Sequence, residues 1–83
     1  MHKIVFYGLS TCGWCRKTKR FLDASGVDYE LIYVDKLSGS ERKQVMDAVG
    51  SWNPRKTFPT IVVDDKTVII GYQEGRMKEV LGI

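Results

Sequence analysis

Apolar and polar residues alternate along this chain in short blocks, and each block has a length and a period that predict an element. Residues 3–8 carry Ile4, Val5, Phe6 and Tyr7 in succession. An unbroken apolar run of that length, rich in β-branched and aromatic side chains, predicts a strand buried on both faces and central in a sheet. Over residues 12–25 the period changes. At about 100° per residue, Trp14, Cys15, Thr18, Phe21 and Leu22 fall within roughly 120° of the circumference, an apolar stripe that packs a helix on the sheet. Ser10 and Thr11 are placed to cap this helix and Gly26 to stop it. Residues 28–35 hold Leu31, Ile32, Tyr33 and Val34, a second run read as buried on both sides. Strand, helix and strand together predict a parallel pair with a right-handed crossover.

The remaining elements follow from the same reasoning. Ser38 with Glu41 has the spacing of a capping box, and Val45, Met46, Val49 and Trp52 recur behind it at helical intervals. A second helix is therefore expected over 39–52, ended by the turn chemistry of Asn53-Pro54. Residues 60–63 and 67–71 are β-rich runs around Asp64, Asp65 and Lys66, a hairpin although no Asn-Gly or Asp-Gly marks its turn. Met77, Val80 and Leu81 share one face of a short last helix over 74–81, stopped by Gly82. The predicted order is βαβαββα, an α/β domain with a four-stranded mixed sheet flanked by helices. No internal repeat, low-complexity tract or linker interrupts it.

Length and composition narrow the function classes. Eighty-three residues allow one domain over 1–83. With 43% hydrophobic and 28% charged residues, the chain has the makings of a core and lacks the signature of disorder. No apolar run reaches the length of a signal peptide's apolar region or of a membrane span, so a cytoplasmic protein with no membrane partner is expected. A net charge of +3 favours acidic partners mildly.

The two cysteines change the picture most. Cys12 and Cys15 close only a tiny loop, and cross-linking so short a loop constrains the unfolded chain little, so chemistry explains the pair better than stability. Residues at i and i+3 of a helix have Cβ atoms about 5–6 Å apart, within reach of a disulfide after small adjustment. The helix start leaves unpaired N–H groups and a partial positive charge beside Cys12, favouring its thiolate and marking it as the nucleophile. Cys15 lies one turn further in, on the apolar stripe, as suits a resolving thiol that attacks only an internal partner. Two blander readings compete. A structural zinc site wants four ligands, and beyond this pair the chain offers only His2 and scattered carboxylates, so no metal is expected. Two small core residues would be an unusual chance at the opening of a helix directly after a buried strand.

Thr11-Cys12-Gly13-Trp14-Cys15 after a buried strand, Phe58-Pro59-Thr60 opening the hairpin and Gly71-Tyr72 closing it resemble the glutaredoxin-like branch of the thioredoxin superfamily over nearly the whole chain. The resemblance implies a thioredoxin fold and a thiol-disulfide oxidoreductase in which Cys12 attacks and Cys15 resolves. It also implies a substrate site built from Thr11, Gly13, Trp14, Arg55, Phe58, Pro59, Gly71 and Tyr72, with Pro59 in the cis form. A proline at the first position of a strand would account for Pro59 equally well. Thr18 to Asp23 with Gly26 is similar to the first helix of the small redoxins that reduce ribonucleotide reductase, which take electrons from thioredoxin reductase.

The chain departs from the family at the glutathione contacts. Leu9 stands where glutaredoxins commonly carry a lysine, and Gly71-Tyr72-Gln73-Glu74 replaces the usual glycine doublet and acidic pair. Arg55 and Lys56 could supply charge for glutathione carboxylates or could be solvated loop residues. The expected partners are disulfide-containing proteins, with thioredoxin reductase or glutathione as electron donor, and the expected state is a monomer needing no bound cofactor. The competing function is an iron–sulfur cluster held by Cys12 and glutathione between two copies.

Arg16, Lys17, Lys19 and Arg20 cover roughly 160° of the first helix opposite its apolar stripe. They read either as a field steering acidic partners to the thiols or as a solvated helix face. Nucleic acid is not expected, because no aromatic interleaving or groove-reading motif accompanies them. Periodicity places Trp14 with the core, although the first helical turn commonly stands clear of a sheet and would leave it a contact residue.

Overall fold

The chain, in a computed structural model that describes residues 2–83, builds its sheet around the first apolar run. Strands β1 (Ile4–Gly8), β2 (Glu30–Tyr33), β3 (Thr60–Val63) and β4 (Thr67–Ile70) lie in the order β2-β1-β3-β4. β1 is parallel to β2 and antiparallel to β3, so Phe6 is flanked by Leu31 on one side and Ile61 on the other. β3 pairs antiparallel with β4, and the sheet is mixed, as expected. Both interior strands came from runs rich in β-branched residues, and all four residues of β3 are buried.

Three helices cover the two faces: α1 (Gly13–Ala24), α2 (Gly39–Trp52) and α3 (Glu74–Leu81). Cys15 and Leu22 of α1 and Met77 and Leu81 of α3 join Ile4, Phe6, Ile61, Val63 and Ile69 in one core. Val62 points the opposite way by strand alternation and is buried on the face where α2 lies against β3. The βαβαββα order stands, with one short 3-10 turn at Val34–Lys36 added after β2.

Three local expectations are corrected. The second apolar run is not buried on both sides: β2 is an edge strand with Glu30 exposed and the next three residues half-buried. Val34, expected in that strand, instead opens the 3-10 turn and is 1% exposed. Neither Ser10 nor Thr11 caps α1; Cys12 occupies that position. Ser38 is the cap residue of α2 but makes no side-chain capping bond, so the box with Glu41 does not form. Glu41 still lies in the first turn, where the helix dipole favours a carboxylate.

The hairpin turn is made by Asp64 and Asp65, at φ of 56° and 52°, with the Lys66 N–H donating to the Val63 carbonyl at 3.1 Å. Aspartate tolerates this left-handed backbone better than most residues, which is how the turn forms without glycine. Among the described residues no helix is long and apolar enough to cross a membrane.

Candidate active site

The site begins where β1 runs out. Gly8, its last residue, has no room for a side chain: a Cβ there would lie 3.0 Å from the Phe6 ring and 3.4 Å from the Cys15 sulfur. The chain then turns through residues 9–12, with the Cys12 N–H donating to the Leu9 carbonyl at 3.1 Å. Asp35, just past β2, holds this turn from outside. Its carboxylate accepts the Ser10 N–H at 2.9 Å and also the Ser10 hydroxyl. Ser10, expected as a helix cap, thus anchors the loop to the neighbouring strand's end.

Both cysteines are free thiols, Cys12 half-buried and Cys15 only 2% exposed. As the cap residue, Cys12 accepts the Cys15 N–H at its sulfur across 3.4 Å. Its acidity reflects opposed effects. Partial burial disfavours the Cys12 anion, but hydrogen bonds from the Cys15 thiol and from the N–H groups of Cys15 and Trp14, with the nearby Arg16 charge, bring it below an ordinary thiol. Burial pushes the Cys15 thiol up to about 12, and the charges of Cys12 and Asp35 add to the rise. At neutral pH the pair therefore presents one ionisable, partly accessible sulfur and one protonated, enclosed sulfur one helical turn behind it.

Trp14, one of the two residues between the thiols, lines a groove of about 190 Å³ together with Phe58, Pro59, Gly71 and Tyr72. The Phe58-Pro59 peptide is cis. The Gly71 N–H donates to the Pro59 carbonyl at 2.8 Å and ties the start of β3 to the end of β4, with Gly71 at φ 79°. Trp14 is 59% exposed, correcting its placement with the core. It leaves the apolar stripe to stack on Tyr72, with ring centroids 6.0 Å apart and planes 23° from parallel. Phe21 meets Tyr72 edge-on from the core side.

Five of the substrate-site residues expected from the sequence thus meet in one groove. Thr11 and Gly13 are exposed and do not line it, and neither does Arg55, exposed in the turn after α2. Three further residues were missed. Asn53, 1% exposed, donates from its amide nitrogen to the Thr57 carbonyl and hydroxyl and to the Thr60 hydroxyl, at 3.0–3.1 Å. It pins both ends of the segment that carries Phe58 and Pro59. Its signal in the sequence was an amide four and seven residues ahead of two threonines, read only as the end of a helix. The sequence marks Asp35 only as the end of a strand run and Lys17 only as one of four cations on the basic face of the first helix. Lys17 lies 5.3 Å from the Trp14 ring centroid and 4.9 Å from that of Tyr72.

A match to the glutaredoxin family extends over residues 4–68 and so takes in β1, the thiol pair and the cis proline. The chain belongs to the glutaredoxin family. Among curated glutaredoxins, Glutaredoxin 1 of Rickettsia conorii is 34% identical over 68 residues, 82% of this chain but only 64% of the relative's own length. Solved structures align more fully. Methanoredoxin from Methanosarcina acetivorans is 44% identical with a TM-score of 0.94, covering 98% of this chain and 85% of that one. The glutaredoxin from Methanosarcina mazei is 40% identical with a TM-score of 0.92, covering 100% and 87%. The thioredoxin-like fold expected from the sequence is thus the fold of these glutaredoxins. Among the described residues, no three His, Cys, Asp or Glu side chains gather closely enough to hold a metal ion by themselves.

Proposed function

We propose that this glutaredoxin-family chain is a dithiol-disulfide oxidoreductase acting on protein disulfides, with Cys12 as nucleophile and Cys15 as resolving thiol. The observation that carries this reading is the hydrogen bond from the Cys15 N–H to the Cys12 sulfur at the helix start, with Cys15 itself enclosed. In the first step the Cys12 thiolate attacks one sulfur of the substrate disulfide. The substrate S–S bond breaks, a Cys12–substrate disulfide forms, and the departing thiolate takes a proton from water. In the second step Cys15 loses its proton and attacks the Cys12 sulfur. The remaining substrate sulfur leaves as a thiol and the Cys12–Cys15 disulfide holds the two electrons' worth of oxidation. An external reductant reopens that disulfide.

One chain contributes both thiols and the whole groove, so a single copy suffices. The groove holds the residues beside the attacked cystine, with the Trp14–Tyr72 stack as one wall and Phe58-Pro59 as the other. At about 190 Å³ it is smaller than the ~300–1,000 Å³ that encloses a small-molecule ligand. That size, with Leu9 and Gln73 in place of charged groups, favours a short stretch of protein chain over tight binding of glutathione, and thioredoxin reductase over glutathione as reductant.

The test is reduction of a model protein disulfide in two parallel assays, one with thioredoxin reductase and one with glutathione and its reductase. Faster turnover in the first assay is expected. Cys12→Ser should abolish turnover in both, and Cys15→Ser should accumulate a mixed disulfide visible by mass spectrometry. Efficient, saturable turnover with glutathione at low micromolar substrate would overturn the choice of reductant. A visible absorption band in anaerobically purified protein, lost in Cys12→Ser, would instead favour the cluster-binding reading.

A further inference from the structure

The four cations of α1 are not equivalent. Lys19 is bound to Asp23, 2.8 Å away, one turn along its own helix. The Arg16 charge acts on the Cys12 sulfur. Lys17 has no carboxylate partner among the described residues, and its ammonium lies against the two stacked rings that form one wall of the groove. We infer that Lys17 is a specificity-determining residue of this groove, selecting disulfides that carry an acidic side chain close to the cystine. The inference rests on the groove's being the substrate site proposed above and names the substrate class it would prefer.

Placement and unused bonding capacity set this ammonium apart. Ring faces attract an ammonium through their quadrupoles, so Trp14 and Tyr72 hold the charge against two of the residues that line the groove. A free lysine would spread that charge over many rotamers and lose entropy on being fixed by a ligand; here the ordering is done before binding. Ring faces accept no strong N–H hydrogen bond, so the ammonium's three donors remain largely available to a carboxylate. The groove is otherwise apolar or backbone-lined and has no acceptor side chain other than the Tyr72 hydroxyl. An acidic residue seated beside the rings would therefore meet a positioned cation and no carboxylate of the groove lining. A basic residue there would meet repulsion.

The experiment uses peptides with one intramolecular disulfide, identical except for Asp, Asn or Lys one or two residues from either cysteine, and reads kcat/KM for wild-type protein and Lys17 variants. Wild type should favour the best-placed Asp peptide over its Asn counterpart by about fivefold at low salt, the range of an exposed ion pair, and by less as ionic strength rises. Lys17→Gln should bring that ratio to about one, Lys17→Glu should turn it in favour of the Lys peptide, and Lys17→Arg should retain it. If Lys17→Gln slows all three peptides alike with the ratio intact, Lys17 only braces Trp14 and the inference fails. It fails alone if wild type reduces all three at equal rates. If wild type reduces none of them, the oxidoreductase reading fails and takes this inference with it.

Discussion

The backbone N–H of Cys15 points at the sulfur of Cys12 across 3.4 Å, so the residue whose own thiol is harder to ionise helps stabilise its neighbour's anion. One helical turn thus separates the two acidities in opposite directions, with burial raising Cys15 and hydrogen bonds overcoming burial at Cys12.

The pH dependence of alkylation should show that separation. The reaction of Cys12 with iodoacetamide should reach half its maximal rate below the ordinary thiol value of 9.0. Cys15 should stay unmodified until the pH approaches about 12. Cys12→Ser protein should be almost inert at neutral pH. Mass spectrometry of quenched time points distinguishes the two sites, and equal labelling at pH 7 would contradict the assignment.

At Gly8 a single methyl group should be costly. A Cβ 3.0 Å from the Phe6 ring and 3.4 Å from the Cys15 sulfur overfills a packed site. Gly8→Ala should lose about 1–3 kcal/mol of stability in urea denaturation.

Asn53→Ala should cost about 1–3 kcal/mol, since it leaves the buried Thr60 hydroxyl without its donor and unties Thr57 from the end of α2. Thermal melts measure that loss. Asn53→Asp should be no milder, because its carboxylate can accept but cannot supply the donors the two threonines receive.

Acid should loosen the loop before the thiols. Hydrogen bonds from the Ser10 hydroxyl and N–H hold the Asp35 carboxyl below its ordinary value of 3.8. The folded chain thus takes up this proton later than the unfolded chain. The resulting stabilisation is complete above the ordinary value, falls as the pH drops through it, and is gone below the folded-state value. Asp35→Asn should accordingly destabilise the protein at pH 7 and flatten its stability profile below pH ~4. Urea denaturation across pH 2.5–7 provides the comparison, and an unchanged acid slope in the variant would refute the link.

Local periodicity made the helices legible almost to the residue, α2 and α3 included, because amphipathic spacing survives whatever the neighbours are. It could not tell an edge strand from a central one: the apolar run of β2 is as continuous as that of β1, and only the order of pairing leaves β2 with one neighbour. The thiol pair was readable because its chemistry depends on a helix start that the sequence itself marks. The groove was not, since it is assembled by pairing β1 with β3. Resemblance to a family, and not spacing, pointed to Phe58, Pro59, Gly71 and Tyr72. Trp14 deceived the periodicity because a large ring at a helix start can swing off the stripe to a partner, here Tyr72, that lies far along the chain. Asn53 and Asp35 work through partners that periodicity does not register: hydroxyls and carbonyls along an irregular segment, and a serine across the sheet.

Trp14, Cys15 and Lys17 lie within a single turn of α1, and Cys12 is that helix's cap. A turn closed by backbone hydrogen bonds moves as one piece. On the reading proposed above, a chain held at the Trp14 ring would rest on the same helical turn whose amide groups face the Cys12 sulfur. If that reading holds, the surface that meets a partner and the amides that face the sulfur belong to one rigid piece of backbone, so the position of one fixes the position of the other.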